Sequence, residues 1–206
     1  MTALLSHYKT SCSSTQAANM ATANRRELFR FRTSVFSARL KWDVKVDNTG
    51  QEMDEYDQLN PIYVNSKDAQ DNINGCLRLL PCSGFYMLRD TFPQLLQGEA
   101  APTTDKVWEI SRFGVDTSDR NHNSQGISKI TFDLLLQAGE LAVKGGATQF
   151  VFVTTASIER YLRKMNVKTA RFGLGKSVDL GGSRSVALKI ELNEEYFANL
   201  RKQLEL

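Results

Sequence analysis

The absences in this chain exclude much before any motif is read. No apolar run approaches the roughly 18 residues needed to cross a bilayer, so no membrane partner is expected. The opening MTALLSHYKTSCSS lacks the basic-then-apolar layout of a secretory signal, and a cytoplasmic location is the expectation. Net charge is only +3 and no Lys/Arg-rich block of five or more occurs, so no nucleic-acid partner is expected. The three cysteines, Cys12, Cys76 and Cys82, have no CxxC spacing, and His7 and His122 lie far from them. No metal site follows from such a set, and buried or idle thiols are the simpler reading. The turns GxxxxGK[ST], GxSxG and HExxH are all missing.

What is present suits one substantial domain. The 206 residues are 41% hydrophobic and 24% charged, ordinary values for a globular protein. Residues 1–22 are rich in Ser, Thr and Ala and read as a leader with one early strand or helix turn. Asn24 is a candidate cap for a helix to about Leu40, with Leu28, Phe31 and Val35 as its apolar stripe. Residues 43–60 have no period and read as a long, ligand-facing loop. Strands follow at Pro61–Asn65 and in CLRLLP, ending at Pro81. Met87–Gln97 is a short helix interrupted by Pro93, and Val107–Asp116 is the next strand.

After a polar loop at 117–124, an amphipathic helix is expected from Gly126 to Lys144. Its stripe is Ile127, Ile130, Leu134, Ala138 and Leu141, and Gly145-Gly146 stops it. Thr148–Thr155 is a buried β run. In the helix Ala156–Met165, Ile158, Tyr161, Leu162 and Met165 are placed inward and Arg160, Arg163 and Lys164 outward. ARFG and VALKIEL close the sheet before a terminal helix at Glu194–Leu204. The order implies a mixed α/β plan, one central sheet flanked by helices. An acetyltransferase-like (GNAT-like) three-layer fold, with a split between strands, fits that plan, as do other three-layer folds.

The chemistry concentrates between Arg32 and Asp57. Arg32 borders the apolar face of its helix, with Phe36 one turn on and Trp42 in the loop beyond. Read alone, Phe36 is a core residue and Trp42 a hydrophobic plug. Glu52, Asp54 and Asp57 have no basic neighbours in sequence, and such a group repels itself unless a cation, a metal or an arginine compensates it. Arg78 lies mid-strand, on the face opposite Leu77 and Leu79. Burying it unpaired is costly, so it wants a carboxylate, as a structural ion pair or as part of a ligand site. Glu109 and Arg112 share a strand on opposite faces by regular alternation. For both to serve one site, a bulge must intervene. NHNSQGIS is faintly similar to a phosphate-cradling turn but has too few glycines.

Taken together these residues resemble the acyl-homoserine-lactone synthases of the LuxI type, the bacterial autoinducer synthases. The family pattern is an arginine, a phenylalanine four later and a tryptophan six after that, then E-x-D-x-x-D, an arginine in a G-C-x-R-L-L-P-like strand, and E-x-[ST]-R. Here these are Arg32, Phe36, Trp42, Glu52 to Asp57, Arg78, and Glu109 to Arg112, in order, and the likeness covers about residues 25–195.

The resemblance implies an enzyme on the acetyltransferase-like fold. Its substrates would be S-adenosylmethionine and an acyl chain carried by acyl carrier protein. The products would be an acyl-homoserine lactone, methylthioadenosine and the free carrier. S-adenosylmethionine is consumed, so no cofactor is implied. Residues 1–206 form one synthase domain on this view: a leader to 22, a capping helix and loop at 23–60, and the core from 61. Arg32, Phe36, Trp42, Asp54, Asp57, Arg78 and Phe113 are the implied S-adenosylmethionine contacts, with the carboxylates compensating its sulfonium and Arg78. Glu52, slightly ahead of Glu109, is the candidate base, with Ser111 and Arg112 beside them and strand amides near Ser111–Phe113 for the oxyanion. Phe152, Thr154 and Thr155 fall in the acyl-tunnel run, and a Phe at 152 implies an unsubstituted chain. Arg160 and Lys164 match positions that meet the carrier protein. A generic acyl-CoA-dependent N-acyltransferase of the same fold is the alternative, and it would need a complete pyrophosphate loop.

Overall fold

The computed structural model describes residues 11–117 and 128–205. Its strands are β1 Ser11–Gln16, β2 Ile62–Lys67, β3 Ile73–Pro81, β4 Val107–Val115, β5 Gln149–Thr155, β6 Ala170–Arg171, β7 Val178–Leu180 and β8 Ser183–Glu191. Its α-helices are α1 Thr22–Arg32, α2 Met87–Asp90, α3 Lys129–Lys144, α4 Ala156–Lys164 and α5 Glu194–Glu205. The strands form a single eight-stranded sheet in the order β1-β2-β3-β4-β5-β8-β6, with β7 also on β8.

Alternation on the central strands sorts the layers. Leu77 and Leu79 of β3 and Trp108 and Ile110 of β4 point to one face, where Ile130, Leu134 and Ala138 of α3 and Leu200 of α5 cover them in the principal core. On the other face Tyr63, Cys76 and Ile73 meet Leu28 and Phe29 of α1. Further along that face Leu88, Val151 and Ala187 form a third cluster. The mixed α/β plan with helices on both sides of the sheet is as expected.

All the ladders are antiparallel except β4–β5. That parallel pairing spans only three rungs, ending at Glu109 opposite Val151. Beyond it Ile110–Val115 and Phe152–Thr155 part company, and the sheet is split along its middle. The chain also departs from a regular strand on β4. Cys76 faces Gly114 and Arg78 faces Ser111, so Arg112 and Phe113 together oppose Leu77. Arg112 has φ +51°, the left-handed conformation of a bulge.

The helix after the leader begins earlier than its capping signal suggests. α1 starts at Thr22 behind Ala21, with no side-chain cap, so Asn24 lies inside the first turn. It runs on into a wider π-helical stretch, Thr33–Arg39, where the amide of Leu40 reaches the carbonyl of Val35. Gly114 allows this stretch to lie against β4, since a Cβ there would come within 3.0 Å of Val35. Residues 43–60 are largely irregular, with an isolated bridge between Val46 and Glu52 and a short 3-10 turn at Glu55–Gln58.

Two further corrections concern the second half. In α4 the buried residues are Glu159 and Leu162, while Ile158 and Tyr161, expected inward, are exposed. Glu159 is turned in by Arg171, whose guanidinium forks onto its carboxylate. The short strand β7 had no signal strong enough to be anticipated. The polar loop at 118–124, the phosphate-like turn at 121–127, the helix start at Gly126–Ile127, and His7 and His122 lie outside the described residues.

Candidate functional site

The charged face of β3 and β4 sits between α1 and α2, opposite the principal core. Arg78 comes up from the middle of β3 and Arg112 from the bulge of β4, while Arg32 descends from the last turn of α1. The loop 43–60 brings in the carboxylates. Asp54 caps the 3-10 turn, accepting from the amide of Tyr56, and Asp57 accepts in return from the amide of Asp54. That reciprocal pair fixes both carboxylates before any ion pair is made.

The ion pairs then close a network. Arg32 donates to Glu52 through Nε at 2.5 Å and to both oxygens of Asp57 at 2.8 and 3.0 Å. Arg78 forks onto Asp54, donates to Asp57 at 2.9 Å and to Ser111 Oγ at 3.0 Å. Arg112 reaches Glu52 at 3.0 Å and Asp54 at 2.8 Å. Arg32, Arg78 and Glu52 are fully buried. Burial alone would raise the Asp57 carboxyl, but Arg32 and Arg78 outweigh it and hold it well below the usual carboxylate range. Tyr63 adds a fifth donor to Asp57.

Three arginines thus meet three carboxylates, and the formal charge of the set is zero. The compensation of Arg78 is as expected. The oxygens of Glu52, Asp54 and Asp57 all face guanidiniums of the chain. Both oxygens of Glu52 are engaged, Oε2 by Arg32 and Oε1 by Arg112.

Glu109 differs. It is buried at the last rung before the sheet splits, and its oxygens accept from the amides of Met87 at 2.9 Å and Leu88 at 2.7 Å, with no arginine bonded to it. Burial pushes its carboxyl up to about 7, against the lowering by those two amides and by Arg78. A carboxylate poised near neutrality can exchange a proton with a substrate.

The aromatics line the same side. Phe36 is fully buried and stacks on the half-exposed ring of Trp42, centroids 5.4 Å apart and planes 17° apart. Arg112 lies 5.7 Å above the Phe36 ring. The π-helical turn makes this possible, because its added width and the amide of Trp42 reaching the carbonyl of Phe36 bring the two rings together.

Phe113 does not join them. It falls on the far side of the bulge and packs, partly buried, against the principal core. Phe152 is buried in that core too, and Thr154 is two residues along on the same face of β5 beside the split. Thr155 is taken up by capping α4, its hydroxyl accepting from the amide of Ile158. Arg160 and Lys164 are exposed on α4, away from the cluster. Among the described residues no group of acidic, His or Cys side chains could hold a metal.

Two participants escaped the sequence reading. Tyr63 looked like an ordinary strand aromatic. Met87 looked like an ordinary helix residue, yet its sulfur receives Arg78 at 3.2 Å and Arg112 at 3.7 Å.

A split central sheet flanked by helices, with a charged cluster beside the split, places the chain in the acetyltransferase-like fold class. The autoinducer synthase family model matches residues 16–200. The chain is 39% identical over 175 residues to an acyl-homoserine-lactone synthase of Vibrio anguillarum, covering 84% of this chain and 89% of that one. Its fold superposes on the crystal structure of the synthase LasI with a TM-score of 0.84 at 30% identity, covering 96% of this chain and 97% of the other. It superposes on TofI, solved in a ternary complex with an inhibitor and MTA, with a TM-score of 0.79 at 31% identity, covering 92% and 96%. The chain belongs to the autoinducer synthase family, and it is an acyl-homoserine-lactone synthase, a quorum-sensing acyltransferase.

Proposed function

We propose that the charged cluster seats S-adenosylmethionine and that the split between β4 and β5 admits an acyl chain from acyl carrier protein. The observation that carries this is the place of Glu109. It stands at the last β4–β5 rung, with the arginine cluster on one side and the opening of the sheet on the other. TofI, a relative at 31% identity, was solved with MTA, which is chemically the leaving group of this reaction.

In this reading Glu109 takes a proton from the α-ammonium of S-adenosylmethionine. The amine attacks the acyl thioester carbon, the amide bond forms and the carrier thiol leaves. A strand amide beside the split, in the stretch Ser111–Phe113, stabilises the oxyanion. The α-carboxylate then attacks the γ-carbon, closing the lactone and expelling methylthioadenosine as the C–S bond breaks. Arg78 and Arg112 hold that carboxylate, and Phe36 with Trp42 offers the π surface for adenine. Arg32, Glu52, Asp54, Asp57 and Ser111 hold the arginines in place. S-adenosylmethionine is consumed, so no cofactor or metal is required, and a single cytoplasmic domain suffices. No helix among the described residues is long and apolar enough to cross a membrane.

The acyl chain would run along the Phe152 and Thr154 face of β5. Phe152 offers no hydroxyl to a 3-oxo group, which favours an unsubstituted chain. The carrier would meet α4, where Arg160, Arg163 and Lys164 stand beside the exposed Ile158 and Tyr161. That combination of positive charge and apolar surface suits an acidic partner with an apolar recognition helix.

The test is to incubate the protein with S-adenosylmethionine and a mixture of acyl carrier thioesters and acyl-CoAs. Mass spectrometry then follows the homoserine-lactone fragment and methylthioadenosine. Lactones with unsubstituted chains, formed faster from the carrier, are expected. Faster use of acyl-CoA would overturn the choice of donor, and a spectrum dominated by 3-oxo chains would overturn the role given to Phe152.

A further inference from the structure

Arg78 has five N–H groups, and four of its contacts are strong: Asp54 twice, Asp57 and Ser111. Its remaining contact, from Nη2, is the thioether of Met87 at 3.2 Å. Arg112 repeats the pattern. Nε and Nη2 are held by Glu52 and Asp54, and Nη1 is directed at the same sulfur at 3.7 Å. Two guanidiniums on neighbouring strands therefore converge on one point, and the atom there is a weak acceptor. A carboxylate in that place would receive one charge-assisted bond on each oxygen, of roughly twice the strength of a neutral one. Methionine, unbranched and with three rotatable bonds in its side chain, is well suited to moving aside.

We infer that the Met87 sulfur stands where the α-carboxylate of the substrate binds, and that the carboxylate displaces it. This rests on the reading of the cluster as an S-adenosylmethionine seat. The backbone of the same residue holds Glu109, whose Oε2 accepts from the Met87 amide. A carboxylate at the sulfur position lies within one side chain's length of that base. The α-amine, on the carbon next to the carboxylate, is thereby carried toward Glu109. Met87 is thus a positioning residue, with its amide holding the base and its side chain reserving the seat for the substrate.

Calorimetric titration of the full chain with S-adenosylmethionine and with its decarboxylated analogue tests this. The quantity read is the ratio of the two dissociation constants, which isolates the carboxylate. Met87→Ala clears the seat, and Met87→Leu keeps an apolar side chain there but removes the acceptor. In both variants the ratio is expected to rise at least threefold in favour of the carboxylate-bearing ligand. A structural role would weaken both ligands together, and an unchanged or smaller ratio in either folded variant would overturn the inference. If the unaltered protein bound neither ligand, the S-adenosylmethionine reading itself would fall, an outcome distinct from binding of both at an unchanged ratio.

Discussion

Strand β3 carries two different kinds of structure back to back. On one face Leu77 and Leu79 are buried among aliphatic side chains of α3, and on the other Arg78 is equally buried among Asp54, Asp57 and Ser111. The apolar face is held by many small, non-directional contacts and should lose stability in proportion to the volume removed. The charged face is held by a few directional bonds, and removing any one partner leaves a buried charge uncompensated. The first face tolerates change gradually, whereas the second fails as a unit.

The sharpest break of this comparison is Arg78→Met, which leaves Asp54 and Asp57 short of a partner. A loss of about 3–5 kcal/mol in urea unfolding is expected, with product formation abolished. Leu79→Ala on the opposite face should cost about 3 kcal/mol, with the KM for S-adenosylmethionine changed no more than about threefold. A collapse of substrate binding in that variant would show that the two faces are not independent.

Glu109→Gln should slow lactone formation by about 10²–10⁴-fold, read by mass spectrometry. The pH dependence separates it from its neighbours. The folded chain favours the protonated Glu109, whose carboxyl is raised from 4.5 to about 7. Between those values the folded state holds a proton that the unfolded state lacks, so stability falls as pH rises. The contribution lost across the window is on the order of 3 kcal/mol, and Glu109→Gln should lack it in denaturant titrations run from pH 4.5 to 7.5. Asp57 has the opposite sign. Its lowered carboxyl contributes stability above the ordinary carboxylate range, which is lost in acid. Catalysis needs the basic form of Glu109, so kcat should rise with pH, half-maximal near 7, to a plateau about one pH unit higher.

Smaller effects are expected at the edge of the split. Thr155→Ala removes the cap of α4 and should cost about 1 kcal/mol by thermal unfolding. Reversing charge at Arg160 and Lys164 should change stability by less than about 0.5 kcal/mol. It should raise the KM of the acyl carrier and leave that of S-adenosylmethionine alone. Unchanged constants for both substrates would remove α4 as the docking face.

Much of this was legible in the chain. The apolar alternation of CLRLLP put Leu77 and Leu79 on one face and Arg78 on the other, and the ladder agrees. For Glu109 and Arg112 to serve one site, their three-residue step called for a bulge, and β4 has one at Arg112. The acidic group of the loop needed cations, and these proved to be the protein's own. What local periodicity could not carry was the outcome of tertiary competition. Glu159 is buried because Arg171 is there to meet it, so the inward face of α4 rotated away from Ile158. Met87 gave no signal, because a thioether at a site differs from one in a core only by its neighbours.

The bulge at Arg112 also acts on β4 much as a reading frame acts on a message. The residue it adds decides which face every later side chain occupies. Pairing β4 evenly at its present length would set Arg112 opposite Leu77 and Phe113 opposite Cys76, and would carry the remainder of the strand to the opposite side. Phe113 would turn toward the arginine cluster, and the π-helical stretch would lose the glycine against which it packs. Substitutions at Arg112 alter a charge, but loss of the bulge at unchanged length exchanges the two faces of the strand beyond it.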